Sequence, residues 1–123
     1  MTRKIKLWKA RQNVDGSRMT KGVHYDKLYA PVASWTSIRL LLTMIVFHNW
    51  TTKQIDCVQA FPQAPADKDL YLKVPEGFEV EGGKKGDYAL KFHKNVCGQK
   101  QAGRLWYRYL TKKLLEELGF ERS

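Results

Sequence analysis

The sequence predicts an α+β fold laid out as strand, helix, strand, hairpin, helix, and three observations predict it. Apolar residues recur at helical spacing twice, at Ile38, Leu41, Leu42, Ile45 and Val46 and again at Ala102, Leu105, Trp106, Tyr109 and Leu110. Between these stripes, two strand-like segments flank a turn containing Gly82, Gly83 and Gly86. No strand–helix–strand unit is complete enough to make a doubly wound parallel sheet obvious. A chain of 123 residues has room for one domain with a modest core.

Each element follows from local chemistry. The opening "RKIKLWKARQN" alternates apolar and basic residues, with Ile5 and Leu7 on one face, as a half-exposed basic strand does. Asp15-Gly16 and Gly22 mark the next stretch as a loop. "TSIRLLLTMIVFHNW" reads as a helix, with Ser34 and Thr36 as candidate caps and Asn49 as its stop. A short strand is expected over residues 52–57, emerging at a Pro-rich site loop with Asp56 near its end. The hairpin follows, and the last helix closes at Gly119. Both apolar helix stripes read as core, while Lys112-Lys113 ahead of Glu116-Glu117 reads as an exposed, ion-paired face.

Composition narrows the function classes. Lys and Arg number 22 against 12 Asp and Glu, a net charge of +10 that favours polyanionic partners or, more blandly, a well-solvated basic surface. Trp8, Trp35 and Tyr25 lie among these cations and could stack on bases. Two distant cysteines, Cys57 and Cys97, give no disulfide framework, and His93 with Cys97 lacks a second pair at zinc spacing. His24 and His48 read as surface or helix-end residues. The longest apolar run, 40–47, is too short to span a bilayer, and no signal-peptide pattern opens the chain. The expectation is an intracellular, cytoplasmic protein without a membrane partner.

The stretch "KQIDCVQAFPQAP", residues 53–65, sets a lone carboxylate, Asp56, in an apolar run five residues ahead of Phe61. An isolated acid near a strand end is more often a turn-former or a lysine's partner. Its company points elsewhere: small Ala60 and bulky Phe61 downstream, a basic strand upstream, and Gly98-Gln99-Lys100-Gln101 at the start of the last helix. A carboxylate at a strand end can hold Mg²⁺, and a ring five residues on can pack against a nucleotide sugar.

In this order "WKARQNVDG", "YAPVASWTSIRLLL", "QIDCVQAFPQAPADKDLYLKVPEGF" and "GQKQAGRLWYRYL" with "LGFERS" cover nearly the whole chain, and together they resemble the reverse transcriptase domain of copia-type long-terminal-repeat retrotransposons. Cys97 stands where that family usually has Tyr, and Gly103 where Pro is common. The resemblance implies a partial polymerase right hand: fingers-like strands at about 1–30 and 66–97, and an incomplete palm at about 31–65 and 98–123. It implies that Asp56 is the first metal-binding carboxylate, that the Cys57 backbone carbonyl reaches the same metal, and that Phe61, beside Ala60, is the steric gate against a ribose 2′-OH. Lys9 and Arg11 would meet the triphosphate, Gly98 and Gln101 the nucleotide, and Lys100 and Arg104 the template or primer. The implied cofactor is a pair of Mg²⁺ ions; the implied partners are an RNA template, a DNA primer, deoxynucleotide triphosphates and the remainder of the Pol polyprotein. The family's Y-x-D-D segment does not occur within residues 1–123, so the expectation is a fragment inactive alone. Two alternatives stand beside it: a non-catalytic basic nucleic-acid-binding module and a decayed element copy.

Overall fold

The computed structural model describes residues 12–121. The predicted opening strand, with Lys9 and Arg11, lies outside them. The described chain is α+β: helix α1 (Trp35–His48), a four-residue helix α2 (Ala60–Gln63), strands β1 (Tyr71–Lys73) and β2 (Ala89–Lys91), and helix α3 (Ala102–Glu116). The predicted loop at 14–22 also folds one 3-10 turn, Gly16–Arg18. Asp15 caps it, and hydrogen bonds from the Ser17 hydroxyl and backbone N–H hold the Asp15 carboxyl below its ordinary pKa.

Helix α1 starts and stops as its sequence dictates. The Ser34 hydroxyl accepts the Ser37 N–H at 3.1 Å, satisfying a donor that no helical carbonyl can reach. At the other end Asn49 turns left-handed at φ 52°, and Trp50 donates back to the Ile45 carbonyl at 3.0 Å. Helix α3 ends in similar fashion: Gly119 adopts φ 69° while Phe120 donates to the Leu114 carbonyl at 3.0 Å. Its exposed face carries the expected i,i+4 ion pairs, Lys112–Glu116 and Lys113–Glu117. The hydrogen bond from Lys113 to Glu117 raises the lysine's pKa.

The hairpin forms as predicted. β1 and β2 are antiparallel with Tyr71 opposite Lys91, Leu72 opposite Leu90 and Lys73 opposite Ala89. The pairing continues beyond the strands through Phe92 N–H to the Leu70 carbonyl, a Pro65–Lys94 bridge, Ala66 N–H to the His93 carbonyl and Asn95 N–H to the Ala64 carbonyl. This irregular ladder carries the chain from the end of α2 to the turn before α3. There α2 packs against α3.

Two expectations fail. Residues 52–57 form no strand: the segment is exposed and irregular, because among the described residues no strand lies beside it to take its backbone hydrogen bonds. The α1 stripe is also not core, since no residue of that helix is buried and Leu41 and Leu42 stand open. The buried apolar residues are instead Tyr25, Ala64, Leu70, Ala102 and Leu105, gathered where loop, ladder and α3 meet.

Candidate nucleotide-binding site

The best-organised part of the molecule is the turn into α3. Gly98 is in the left-handed region at φ 92°, and a Cβ there would stand 1.9 Å from the Val14 carbonyl oxygen. Glycine is therefore required twice, by its dihedral and by the close crossing of two backbones. That crossing is a short parallel contact in which Val14 N–H donates to the Cys97 carbonyl at 2.9 Å beside the Asn13–Cys97 bridge. It clamps the 13–25 loop against the start of α3.

Three side chains expected at this site work within the clamp. Gln101 is fully buried and its Nε2 donates to the His24 carbonyl at 3.1 Å. Lys100 reaches the Met19 carbonyl at 3.3 Å and lies 5.2 Å from the Tyr25 ring centroid, a cation–π contact. Arg104 is half-buried on the first turn of α3. The structure thus gathers Gly98, Lys100, Gln101 and Arg104 at one helix start, with two of them turned onto the loop. Tyr25 is buried beneath Lys100, which closes it to base stacking, whereas Trp35 is exposed.

Asp56 and Cys57 sit on the exposed segment before α2, and Ala60 and Phe61 are half-buried within α2. Gln59, at φ 51°, makes the sharp bend from one to the other, and the Gln63 side chain ties the bend by donating to the Val58 carbonyl at 2.7 Å. Packing of α2 on α3 brings the Phe61 helix to the Gln101 helix. Among the described residues no three Asp, Glu, His or Cys side chains group as a metal site, so these residues alone do not fit a pair of Mg²⁺ ions. Asp56 offers one carboxylate.

The sequence left three buried amides unnoticed. Asn95, Gln99 and Gln101 are all buried, and Asn95 Oδ1, Gln99 Nε2 and Gln101 Oε1 have no protein partner. Nothing in a single sequence separates a buried amide from a surface one. Lys68 was likewise unmarked, yet it bridges to Asp26 at 2.9 Å and to the Gly22 carbonyl at 3.2 Å, holding the loop from its other side.

Comparison with known proteins decides the family. The family described as reverse transcriptase (RNA-dependent DNA polymerase) matches residues 2–123. The chain belongs to this reverse transcriptase family. It is 36% identical over 104 residues to a retrovirus-related Pol polyprotein from transposon TNT 1-94 of Nicotiana tabacum, covering 85% of this chain and 8% of that relative. It is 35% identical over 119 residues to the Pol polyprotein from transposon RE1 of Arabidopsis thaliana and 34% identical to that from RE2, in each case over 97% of this chain and 8% of the relative. The copia-type resemblance drawn from the four segments is therefore shown. The chain spans about a twelfth of the length of the curated relatives it matches. No solved structure matches it. Among the described residues no helix is long and apolar enough to cross a membrane.

Proposed function

We propose that this reverse transcriptase chain serves RNA-directed DNA synthesis as the fingers-like and first palm-like part of a polymerase hand, with residues 1–30 and 66–97 in the former and 31–65 and 98–123 in the latter. The family match over residues 2–123 carries the reading, and the packing of the Phe61 helix against the start of α3 supports it. Asp56 contributes one carboxylate to a divalent-cation site that residues outside the described ones complete. Phe61, with Ala60, bounds the sugar of the incoming nucleotide; Gly98 and Gln101 shape that pocket's floor, and Lys100, Arg104, Lys9 and Arg11 meet phosphates of nucleotide, template or primer. Primer extension by a chain that includes this segment and the remainder of the domain tests the reading. Template-dependent incorporation that survives Asp56→Asn refutes it.

Helix α1 supports a place for the remaining Pol polypeptide. Its apolar residues Trp35, Leu40, Leu41, Leu42, Val46 and Phe47 are all exposed and lie around the whole helix, with Arg39 the only charge before His48. A helix apolar all round belongs inside a core, so polypeptide must enclose it from more than one side.

The second reading is a basic nucleic-acid-binding module without catalysis, favoured by the net charge of +10 and by exposed Trp35. A decayed element copy is the third. An open reading frame running on into a Y-x-D-D segment favours the polymerase over both.

A further inference from the structure

Helix α2 has only four residues, too few to hold itself in water, and it starts from a left-handed Gln59 with no side-chain cap. Its orientation must therefore be imposed from outside. At its N-terminal end the imposed contact is local, the Gln63 side chain on the Val58 carbonyl. At its C-terminal end one distant residue makes every such contact. Asn95 is fully buried, and its backbone N–H donates to the Ala64 carbonyl at 3.1 Å while its Nδ2 donates to that same carbonyl at 3.1 Å and to the Pro65 carbonyl at 3.0 Å. Ala64, itself fully buried, is the C-cap of α2, and its own N–H donates to the Phe61 carbonyl at 3.1 Å. One chain of hydrogen bonds thus runs from Asn95 through Ala64 to the backbone of Phe61.

The other end of this chain is equally fixed. Asn95 lies two residues before Cys97, whose carbonyl is held by Val14, and four before Gln99, whose Oε1 accepts the Val96 N–H at 3.2 Å. We propose that Asn95 is a positioning residue, coupling the Phe61 helix to the turn that starts α3 and so setting the distance between the sugar-facing ring and the nucleotide-binding helix. The proposal rests on the polymerase reading for its functional consequence and on geometry alone for the coupling. Only a side chain with two N–H donors on a short stem reaches both carbonyls; Asp at this position has the same shape but presents oxygen to oxygen. Its negative charge would also be buried.

The test has two arms. Hydrogen exchange on the 123-residue chain, comparing wild type with Asn95→Asp and Asn95→Ala, reads the coupling: exchange at the Ala64 and Ala66 amides should rise about tenfold while amides of the β1–β2 pair and the middle of α3 keep their rates. No change, or an equal rise throughout, overturns the coupling and leaves Asn95 as an ordinary stabilising residue. Should Asn95→Ala fail to fold, Asn95→Ser, which retains one donor, takes its place and should give an intermediate rise. The second arm measures deoxyribonucleotide against ribonucleotide incorporation by a chain with the complete domain. Asn95→Asp should lower the discrimination ratio by about tenfold, through the ratio of kcat/KM for the two sugars rather than through total rate. A ratio unchanged by Asn95→Asp but shifted by Phe61→Ala overturns the positioning role. A ratio unmoved by Phe61→Ala refutes the polymerase role of Phe61 and with it the specificity half of the proposal, while the exchange arm still decides the coupling.

Discussion

Asp56 and Phe61 make opposite demands on the fold, and that difference separates their chemistry from their packing. Asp56 is exposed and makes no hydrogen bond or ion pair among the described residues, so Asp56→Asn should leave the midpoint of urea unfolding unchanged within error while abolishing primer extension by the complete domain. A loss of stability would mean that the acid is structural. Phe61 is half-buried in a helix that packs on α3, so Phe61→Ala removes some packing as well as a wall beside the sugar. Full burial of a Phe is worth about 3–5 kcal/mol against Ala, and a half-buried ring should lose less. If its role is sugar selection, folded Phe61→Ala protein gains ribonucleotide incorporation relative to deoxynucleotide; equal loss of both marks simple packing. Gly98 gives a third, purely structural expectation. Gly98→Ala forces a Cβ into the left-handed region and to within 1.9 Å of the Val14 carbonyl, so the crossing of two backbones must open. Left-handed placement alone costs about 1–2 kcal/mol, and the clash adds to it, so chemical denaturation should show a loss above that range. A loss of less than about 1 kcal/mol would mean that the 13–25 loop lifts away freely.

At the scale of elements, what local chemistry determines was legible and what distant partners determine was not. The ends of α1 could be read from Ser34 and Asn49, and those of α3 from Gly119, because capping is settled within a few residues. The β1–β2 pairing followed from the alternating segments around three glycines. Residues 52–57 misled because their β-branched composition says only that they suit a strand, whereas a strand exists only when a neighbour pairs with it. The buried amides and the Lys68 bridge were invisible for the same reason: both depend on contacts across the fold, such as Lys68 to Asp26, which no short window contains. For the site, the residues of the α3 start were named from motif likeness, but their engagement with the 13–25 loop was not foreseeable. Helix α1 supplies the prediction at this scale. Because Val46 and Phe47 are each more than four-fifths exposed, replacing both with Lys and Gln should not lower the thermal midpoint of the 123-residue chain but should reduce its self-association in sedimentation. Ser34→Ala, by contrast, leaves the Ser37 N–H without its acceptor and should cost about 1 kcal/mol of α1 stability, read as lost helicity by circular dichroism.

The whole molecule is governed by its charge, +10 on 123 residues, and the consequence is testable without any assumption about catalysis. Lysines and arginines near a nucleic-acid backbone displace condensed counterions, and their release gives affinity a logarithmic dependence on salt. Each phosphate neutralised on a single strand contributes a slope of about −0.7, so the four cations Lys4, Lys6, Lys9 and Arg11, acting together, would give about −3. The 123-residue chain should therefore bind single-stranded RNA or DNA weakly, with little sequence preference and an affinity that falls steeply between low and physiological salt. Fluorescence anisotropy of a labelled oligonucleotide across a salt series measures this directly. Replacing the four cations with Gln should flatten the slope, since the remaining basic residues include Lys68, Lys100 and Lys113, which already have partners within the fold. If the slope stays steep in that variant, the basic face lies elsewhere on the described surface; if the wild-type affinity is indifferent to salt, the excess charge serves solubility alone and the binding-module reading falls. The polymerase reading makes one demand more, because a nucleotide-binding pocket recognises its substrate beyond charge. With primer-template in place of a single strand, a complementary deoxynucleotide triphosphate should tighten the complex formed by the complete domain more than a mismatched one, a difference that counterion release cannot produce, since both nucleotides carry the same charge.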